Sequence, residues 1–332
     1  MKIILKASLF FIICSLIFNT GCASSGRLNK VVLPPVPSKN QTLRFVVMAD
    51  SRGFDNGVNS SIVNKIMTEI KQLSPQPEFA IMPGDLVDGA ISYDMVKSQL
   101  EFFKKIVTKY YPEEFFYPGV GNHEVSYGVN GEQALGEVFK KYKATFLKGY
   151  NRSVYYIDKG NSRFFMLNSD HPGEISTISQ TQLNWVRQNI SSRCKHYLYF
   201  FHEPAYPTGP HIGSSLDTNP LQRDKLWQII DKSISPIVFC GHEHYYTRRH
   251  INADFNENIQ GMAFKYTKNV YQVTVGSFGA PLYTGFTSRK DVDVPPISQY
   301  HFAVVDIYDD KIKTTIINVD GKVIDSFLFS SP

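Results

Sequence analysis

Five short apolar runs in this chain each lead into side chains that bind cations or move protons. Arg44–Met48 leads into Asp50-Ser51-Arg52, and Glu78–Met82 into Gly84-Asp85. Phe115–Tyr117 leads into Gly121-Asn122-His123-Glu124, Tyr197–Phe201 into His202, and Ile237–Cys240 into Gly241-His242-Glu243-His244. Hard carboxylate and amide oxygens mixed with borderline imidazoles suit Mn, Fe, Zn or Ni rather than Ca. Glycines stand directly before three of these positions (Gly84, Gly121 and Gly241), where they let the chain turn sharply. A single histidine after an aromatic strand is more often a satisfied core residue than a ligand. Recurrence at five strand ends shifts that balance toward a metal centre.

The elements that must position these residues alternate in type. Apolar residues Ile62, Val63, Ile66, Met67, Ile70 and Leu73 recur at helical spacing, and Tyr93–Lys109, Glu132–Phe146 and Gln180–Ile190 read as further helices. Beyond Cys240 the helix signals fade. Val270–Val275, Phe302–Ile307, Lys313–Val319 and Val323–Phe327 are β-rich, with Asp320-Gly321 as a hairpin turn. Alternation of this kind implies an α/β fold with a mainly parallel sheet and an antiparallel extension toward the C-terminus. Carboxyl ends of neighbouring strands in such a sheet converge on one crevice, so the five polar sites can meet. Two long polar segments, residues 203–223 and 279–300, are rich in Pro, Gly and Ser and read as functional or disordered loops.

The ordered series D-x-R, G-D, G-N-H-E, H and G-H-E-H resembles the calcineurin-like metallophosphoesterase superfamily, which includes the purple acid phosphatases. The resemblance implies a four-layer α/β/β/α sandwich and hydrolysis of a phosphomonoester or phosphodiester by a hydroxide bridging two metal ions. It further implies that Asp85 bridges the metals, that Asp50 and His244 complete one site, and that Asn122, His202 and His242 hold the other. His123 would stabilise or protonate the leaving oxygen. The tyrosine ligand that purple acid phosphatases carry after G-D is absent, since Leu86, Val87 and Asp88 follow Asp85. A coloured Fe(III)–tyrosinate centre is therefore not expected.

One position departs from the family pattern. Arg52 stands where a histidine usually adds a ligand, and a guanidinium stays protonated and cannot coordinate. Water, or another residue such as Asp88, would fill the vacancy, and either Arg52 clamps the substrate phosphate through a bidentate contact, or the first site is weak or empty. The second case leaves one working metal, or a non-catalytic phosphate- or nucleotide-binding protein on a degenerate scaffold. His171, His196, His250 and His301 have no motif context and read as structural or surface residues. His211 falls in a Pro/Gly-rich loop and reads as exposed, with the pocket rim as the alternative.

The rest of the sequence bounds the setting. Lys2 and Lys6 precede an uncharged, largely apolar run, Ala7–Phe18, too short to cross a bilayer and suited to a signal peptide. The following Asn19-Thr20-Gly21-Cys22 resembles a bacterial lipobox, with Cys22 as the lipidated residue and Asn19 where an aliphatic residue is usual. Residues 1–21 thus read as a lipoprotein-type leader, 22–42 as a Pro- and Ser-containing tether, and 43–330 as the catalytic domain. The expected location is the cell envelope, lipid-anchored and facing the periplasm or exterior; a plain secretory signal is the blander alternative. Formal charge is +5, or +3 without Lys2 and Lys6, and no basic cluster stands out, so nucleic acid is not an expected partner. Cys194 and Cys240 remain in the body, and Cys240 reads as a buried small hydrophobe.

Overall fold

A computed structural model describes residues 41–255 and 265–330. The expected leader, Cys22 and all but the end of the tether lie outside the described residues. Strands and helices follow one another as β1 (Gln41–Val47), β2 (Arg52–Asp55), α1 (Ser60–Gln72), β3 (Ala80–Met82), α2 (Tyr93–Val107), β4 (Phe116–Pro118) and α3 (Gly131–Val138). Next come β5 (Thr145–Phe146), β6 (Tyr155–Lys159), β7 (Ser162–Met166), β8 (Asp170–His171), β9 (Glu174–Ile175), α4 (Gln180–Gln188), β10 (His196–Phe200) and α5 (Pro220–Lys232). The chain closes with β11 (Pro236–Cys240), β12 (Tyr246–Ile251), β13 (Val270–Val275), β14 (Val292–Ile297), β15 (His301–Tyr308), β16 (Lys311–Asn318) and β17 (Val323–Ser330).

These elements build two mixed sheets, in the order β17-β16-β15-β1-β3-β4 and β14-β12-β13-β11-β10-β7-β6-β5. Pairing is parallel for β1–β3–β4, with β4 at the edge, and for β7–β10–β11–β13, and antiparallel elsewhere, so the sheets are mixed rather than mainly parallel. Aromatic residues join the two sheets face to face. Phe45 of the first meets Phe164 of the second edge-on at 5.2 Å and stacks on Phe79 at 5.1 Å, while Phe200 stacks on Phe239 at 5.5 Å. All of these rings are buried, each worth about 1.5–3 kcal/mol against exposure. Helices α1 to α3 pack with the same core, and α4 and α5 cover the other face of the second sheet through Leu183, Val186, Leu226 and Trp227. The result is a four-layer α/β/β/α sandwich.

Two local readings are corrected. The helix expected over Glu132–Phe146 ends at Val138, and Thr145–Phe146 pairs instead as β5. Past Val138 the carboxylate of Glu113 accepts from the backbone N–H groups of Lys140 and Lys141, at 2.6 and 2.9 Å, in place of helical partners. Helix α5 and strand β14 were hidden in segments read as loop or left unassigned. In α5 the buried positions include Arg223, Asp224 and Asp231 beside Leu226, Trp227 and Ile230, so no clean apolar stripe shows. Strand β14 carries Pro295 and Pro296 at the sheet edge, where a missing N–H is tolerated. Both body cysteines are free and buried, as the reading of Cys240 anticipated. Among the described residues, no helix is long and apolar enough to cross a membrane.

Candidate metal centre

Every polar motif residue lies just beyond the carboxyl end of a strand. Asp50 follows β1, Asp85 follows β3, Asn122 and His123 follow β4, His202 follows β10, and His242 and His244 follow β11. Three of them hold left-handed backbone: Asp50 at φ 63°, Asp85 at φ 51° and His242 at φ 69°. Such conformations are uncommon outside glycine and cluster at functional sites. Of the preceding glycines only Gly84 has a positive φ, at 110°. Gly121 and Gly241 serve close approach instead: a Cβ would meet Asp85 Oδ1 at 2.3 Å or Asp50 Oδ2 at 2.3 Å.

Each aspartate is fixed by the backbone of a motif histidine. The His242 N–H donates to both carboxylate oxygens of Asp50 at 3.1 Å, and the His123 N–H donates to Asp85 Oδ1 at 3.0 Å. The histidine rings are tethered from behind by carbonyls. His202 Nδ1 lies 3.2 Å from Pro83 O, His242 Nε2 3.2 Å from Ser214 O, His244 Nδ1 2.8 Å from Pro281 O, and His123 Nδ1 2.8 Å from Asp88 O. Placing the proton on the tethered nitrogen of His202, His242 and His244 leaves the other nitrogen's lone pair facing inward, the arrangement that outer partners impose on metal-ligating imidazoles.

The inward atoms converge in two groups. Asn122 Oδ1 lies 3.0 Å from both His202 Nε2 and His242 Nδ1, those two nitrogens are 3.3 Å apart, and Asp85 Oδ1 lies 3.3 Å from His202 Nε2. On the other side His244 Nε2 lies 3.5 Å from Asp50 Oδ1. Ligand atoms of Asp50, Asp85 and His202 all fall within 4.8 Å of one another, which joins the groups. His123 stands at the rim, with Nε2 3.9 Å from Asp85 Oδ2.

Electrostatics at this cluster favour a cation. Burial opposes charge on His202, yet Asp85, Asp50 and Asp170 outweigh it and raise the pKa well above the ordinary imidazole value. Asp85 is held well below the usual carboxylate range; burial opposes this, and the charges of His202 and His123 overcome it. Burial and the charge of His202 push His242 well below its ordinary value, which keeps it an unprotonated donor. Asp85 Oδ2 is buried and finds no hydrogen-bond partner. An orphaned carboxylate oxygen beside converging lone pairs fits a metal-binding role.

Other residues complete the site. Glu124, fully buried, takes hydrogen bonds from the N–H groups of Asp85 (3.0 Å), Val87 (3.1 Å) and Gly121 (2.8 Å), locking two ligand turns together. Glu243 does the same for the 203–223 segment through Thr208 and Gly209 N–H at 2.9 and 2.7 Å. Arg52 reaches Asp88 Oδ1 at 3.3 Å and interacts with Tyr283 and Asp85. His211, read from sequence as a better candidate for an exposed loop residue, instead packs on His242 with ring centroids 3.8 Å apart. Tyr283 stacks on His244 at 4.1 Å. Neither His211 nor Tyr283 carries a motif signal, and the tethering carbonyls carry none at all.

His171, His196, His250 and His301 lie apart from this cluster, bonded respectively to Glu132, the Tyr308 carbonyl, Asp293 and the Gln299 carbonyl.

The sequence profile of the calcineurin-like phosphoesterase family matches residues 43–246, more than half of the chain. The chain belongs to that family. Among curated relatives it is similar to the human serine/threonine-protein phosphatase CPPED1, 22% identical over 193 residues, covering 55% of this chain and 58% of the relative. Its rat counterpart is 23% identical over 205 residues, covering 59% and 62%. The chain therefore spans less than two thirds of the curated relatives it matches. In fold it is similar to the purple acid phosphatase PPD1 of yellow lupin, with a TM-score of 0.66, 17% identity, and 89% of this chain covering 55% of that one. It is also similar to PhoD, with a TM-score of 0.64, 11% identity, and coverage of 90% and 71%.

Proposed function

We propose that this chain hydrolyses phosphate esters with two divalent or trivalent metal ions. The observation that carries the reading is the convergence of six donor residues in two groups joined at Asp85. Asp50, Asp85 and His244 would hold one ion; Asp85, Asn122, His202 and His242 would hold the other. Their chemistry suits Mn, Fe, Zn or Ni. Ions bound there supply an activated water and neutralise charge on the phosphoryl oxygens.

The chain's own residues do the remaining work. His123, at the rim with its Nδ1–H on the Asp88 carbonyl, would pass the Nε2 proton of its imidazolium form to the departing oxygen. The Arg52 guanidinium, set beside the ligand cluster by Asp85, Tyr283 and Asp88, clamps a phosphoryl oxygen. Glu124 and Glu243 keep the ligand turns rigid so that little reorganisation is needed during reaction.

A second reading, non-catalytic binding of a phosphate or nucleotide, draws on one observation: Arg52 occupies the position of a metal ligand. Turnover of p-nitrophenyl phosphate and bis-p-nitrophenyl phosphate, with and without EDTA, separates the two. Hydrolysis lost in chelator and in His123→Ala, with KM raised about tenfold in Arg52→Lys, supports the hydrolase. Phosphate binding without turnover under any added divalent ion supports the binder.

We further propose that the protein is exported and lipid-anchored at the cell envelope through Cys22, acting on a small phosphate ester there. Membrane fractionation of the full chain against Cys22→Ala tests this; release of the variant alone to the soluble fraction is the expected result.

A further inference from the structure

Two segments outside the motifs reach the metal centre. Residues 203–223 bring the Ser214 carbonyl to His242, and residues 279–300 bring the Pro281 carbonyl and the Tyr283 ring to His244. A carbonyl orients an imidazole only as firmly as its own segment is held. Neither Ser214 nor Pro281 lies in a strand or helix, so no ladder holds them. The segments are instead joined to each other. The Thr208 carbonyl accepts from the N–H groups of Thr287 and Ser288, at 2.8 and 3.0 Å. A Cβ on Gly209 would meet the Gly285 carbonyl oxygen at 2.4 Å, so the two backbones touch there.

Arg249 grips both segments. It is fully buried on β12, which starts just after His244 and is paired on both sides. Its Nη1 donates to the carbonyls of Tyr206 and Pro207, both at 3.2 Å, in the first segment. Its Nη2 donates to Ser288 Oγ at 2.9 Å and to the Lys290 carbonyl at 3.0 Å, in the second. Gln272, directly opposite on β13, exchanges hydrogen bonds with the Tyr206 backbone at 2.9 and 3.1 Å and seats the first segment on the same sheet. A planar guanidinium suits this task because its two terminal nitrogens point apart in a fixed fork.

Resting on the two-metal reading above, we propose that Arg249 is a positioning residue of the metal centre. By clamping both segments it fixes the carbonyls that orient His242, a ligand of one ion, and His244, a ligand of the other. It acts through those segments and not on the substrate.

The test titrates Mn²⁺ into the metal-stripped full chain by calorimetry and records the visible absorption of the Co²⁺-saturated form. Wild type is compared with Arg249→Met, Arg249→Lys and Arg44→Met, each where circular dichroism shows it folded. Arg44→Met is the control for lost stability alone, since it removes hydrogen bonds from Asp306 in the other sheet. The expected result is an Mn²⁺ Kd raised about 10–100-fold in Arg249→Met, the scale of outer partners of metal ligands, with altered Co²⁺ bands. Arg249→Lys, with one nitrogen for two segments, should fall in between. Arg44→Met should keep the wild-type Kd and spectrum. Wild-type Kd and spectrum in both Arg249 variants overturn the inference and leave the hydrolase reading standing. An equal loss of affinity in Arg44→Met, or failure of both Arg249 variants to fold, reduces the effect to general stability and overturns it too. A wild-type chain that binds neither Mn²⁺ nor Co²⁺ overturns both readings.

Discussion

Replacing Glu124 tests whether the metal centre depends on the residue that ties its turns together. The carboxylate accepts three backbone hydrogen bonds, from Asp85, Val87 and Gly121, at 2.8 to 3.1 Å, and it is fully buried. Glu124→Ala leaves three buried N–H groups without an acceptor, at about 1–3 kcal/mol each. Water entering the space left by the side chain recovers part of this, so the expected loss of stability is about 3–5 kcal/mol. Glu124→Gln keeps the volume and one acceptor oxygen, which can serve Asp85 and Gly121 while the amide NH2 faces the Val87 N–H. That loss is about 1–2 kcal/mol. Because the two freed turns carry Asp85 and Asn122, metal affinity should also fall, by about 10–100-fold as for other outer partners of metal ligands. Denaturant unfolding of the metal-free protein and calorimetric titration with Mn²⁺ read the two effects separately. An alanine variant within about 1 kcal/mol of wild type would refute the reasoning, as would one that is destabilised yet binds metal with unchanged affinity.

Three further outcomes follow from other parts of the structure. Gly241→Ala places a Cβ 2.3 Å from Asp50 Oδ2, so it should displace that carboxylate and abolish binding at the first metal site while the chain remains folded by circular dichroism. Arg44→Met removes two guanidinium hydrogen bonds, at 2.6 and 3.0 Å, from buried Asp306 and leaves it the charge of Lys313 opposite on β16, so it should cost about 2–3 kcal/mol in denaturant unfolding; a loss below about 1 kcal/mol contradicts it. His301 is fully buried, and burial lowers its pKa to about 4 from an ordinary value of 6.5. The unfolded chain therefore takes this proton first on acidification. The stabilisation is complete above about pH 6.5 and is lost as pH falls toward 4, to a total of about 3 kcal/mol. Unfolding midpoints at pH 7.5 and 4.5 should differ less in His301→Gln than in wild type, and an equal difference would count against the assignment.

Much of the site was legible because its ligands sit where apolar runs stop. A strand such as Phe45-Val46-Val47 announces its own end, and the first carboxylate or imidazole beyond it falls at the crevice. What holds those ligands was not legible. The tethers on His202, His242 and His244 are carbonyls of Pro83, Ser214 and Pro281, and every residue has a carbonyl. Two of these come from the long segments that read as functional or disordered loops, and the sequence does not locate the contact. Gly121 and Gly241 read from sequence as turn residues, whereas they provide room for Asp85 and Asp50. His211 and Tyr283 reach the centre only through tertiary folding of those same segments. Helix α5 was obscured because Arg223 and Asp224 pair with each other at 2.8 Å inside the protein, placing charges on a face that pattern reading expects to be apolar. The α/β/β/α layering does not suffer from these misses, since it follows from the family resemblance, supported by strand–helix alternation, rather than from any single helix boundary.

Metal stoichiometry measured against activity tests the central claim most directly. The soluble body, stripped of metal and titrated with Mn²⁺ or Zn²⁺, should bind two ions per chain by elemental analysis. Hydrolysis of p-nitrophenyl phosphate should rise with occupancy and disappear in Asp85→Asn, which removes the shared ligand. Fewer than two ions at saturation, or turnover that is indifferent to metal content, would contradict the account.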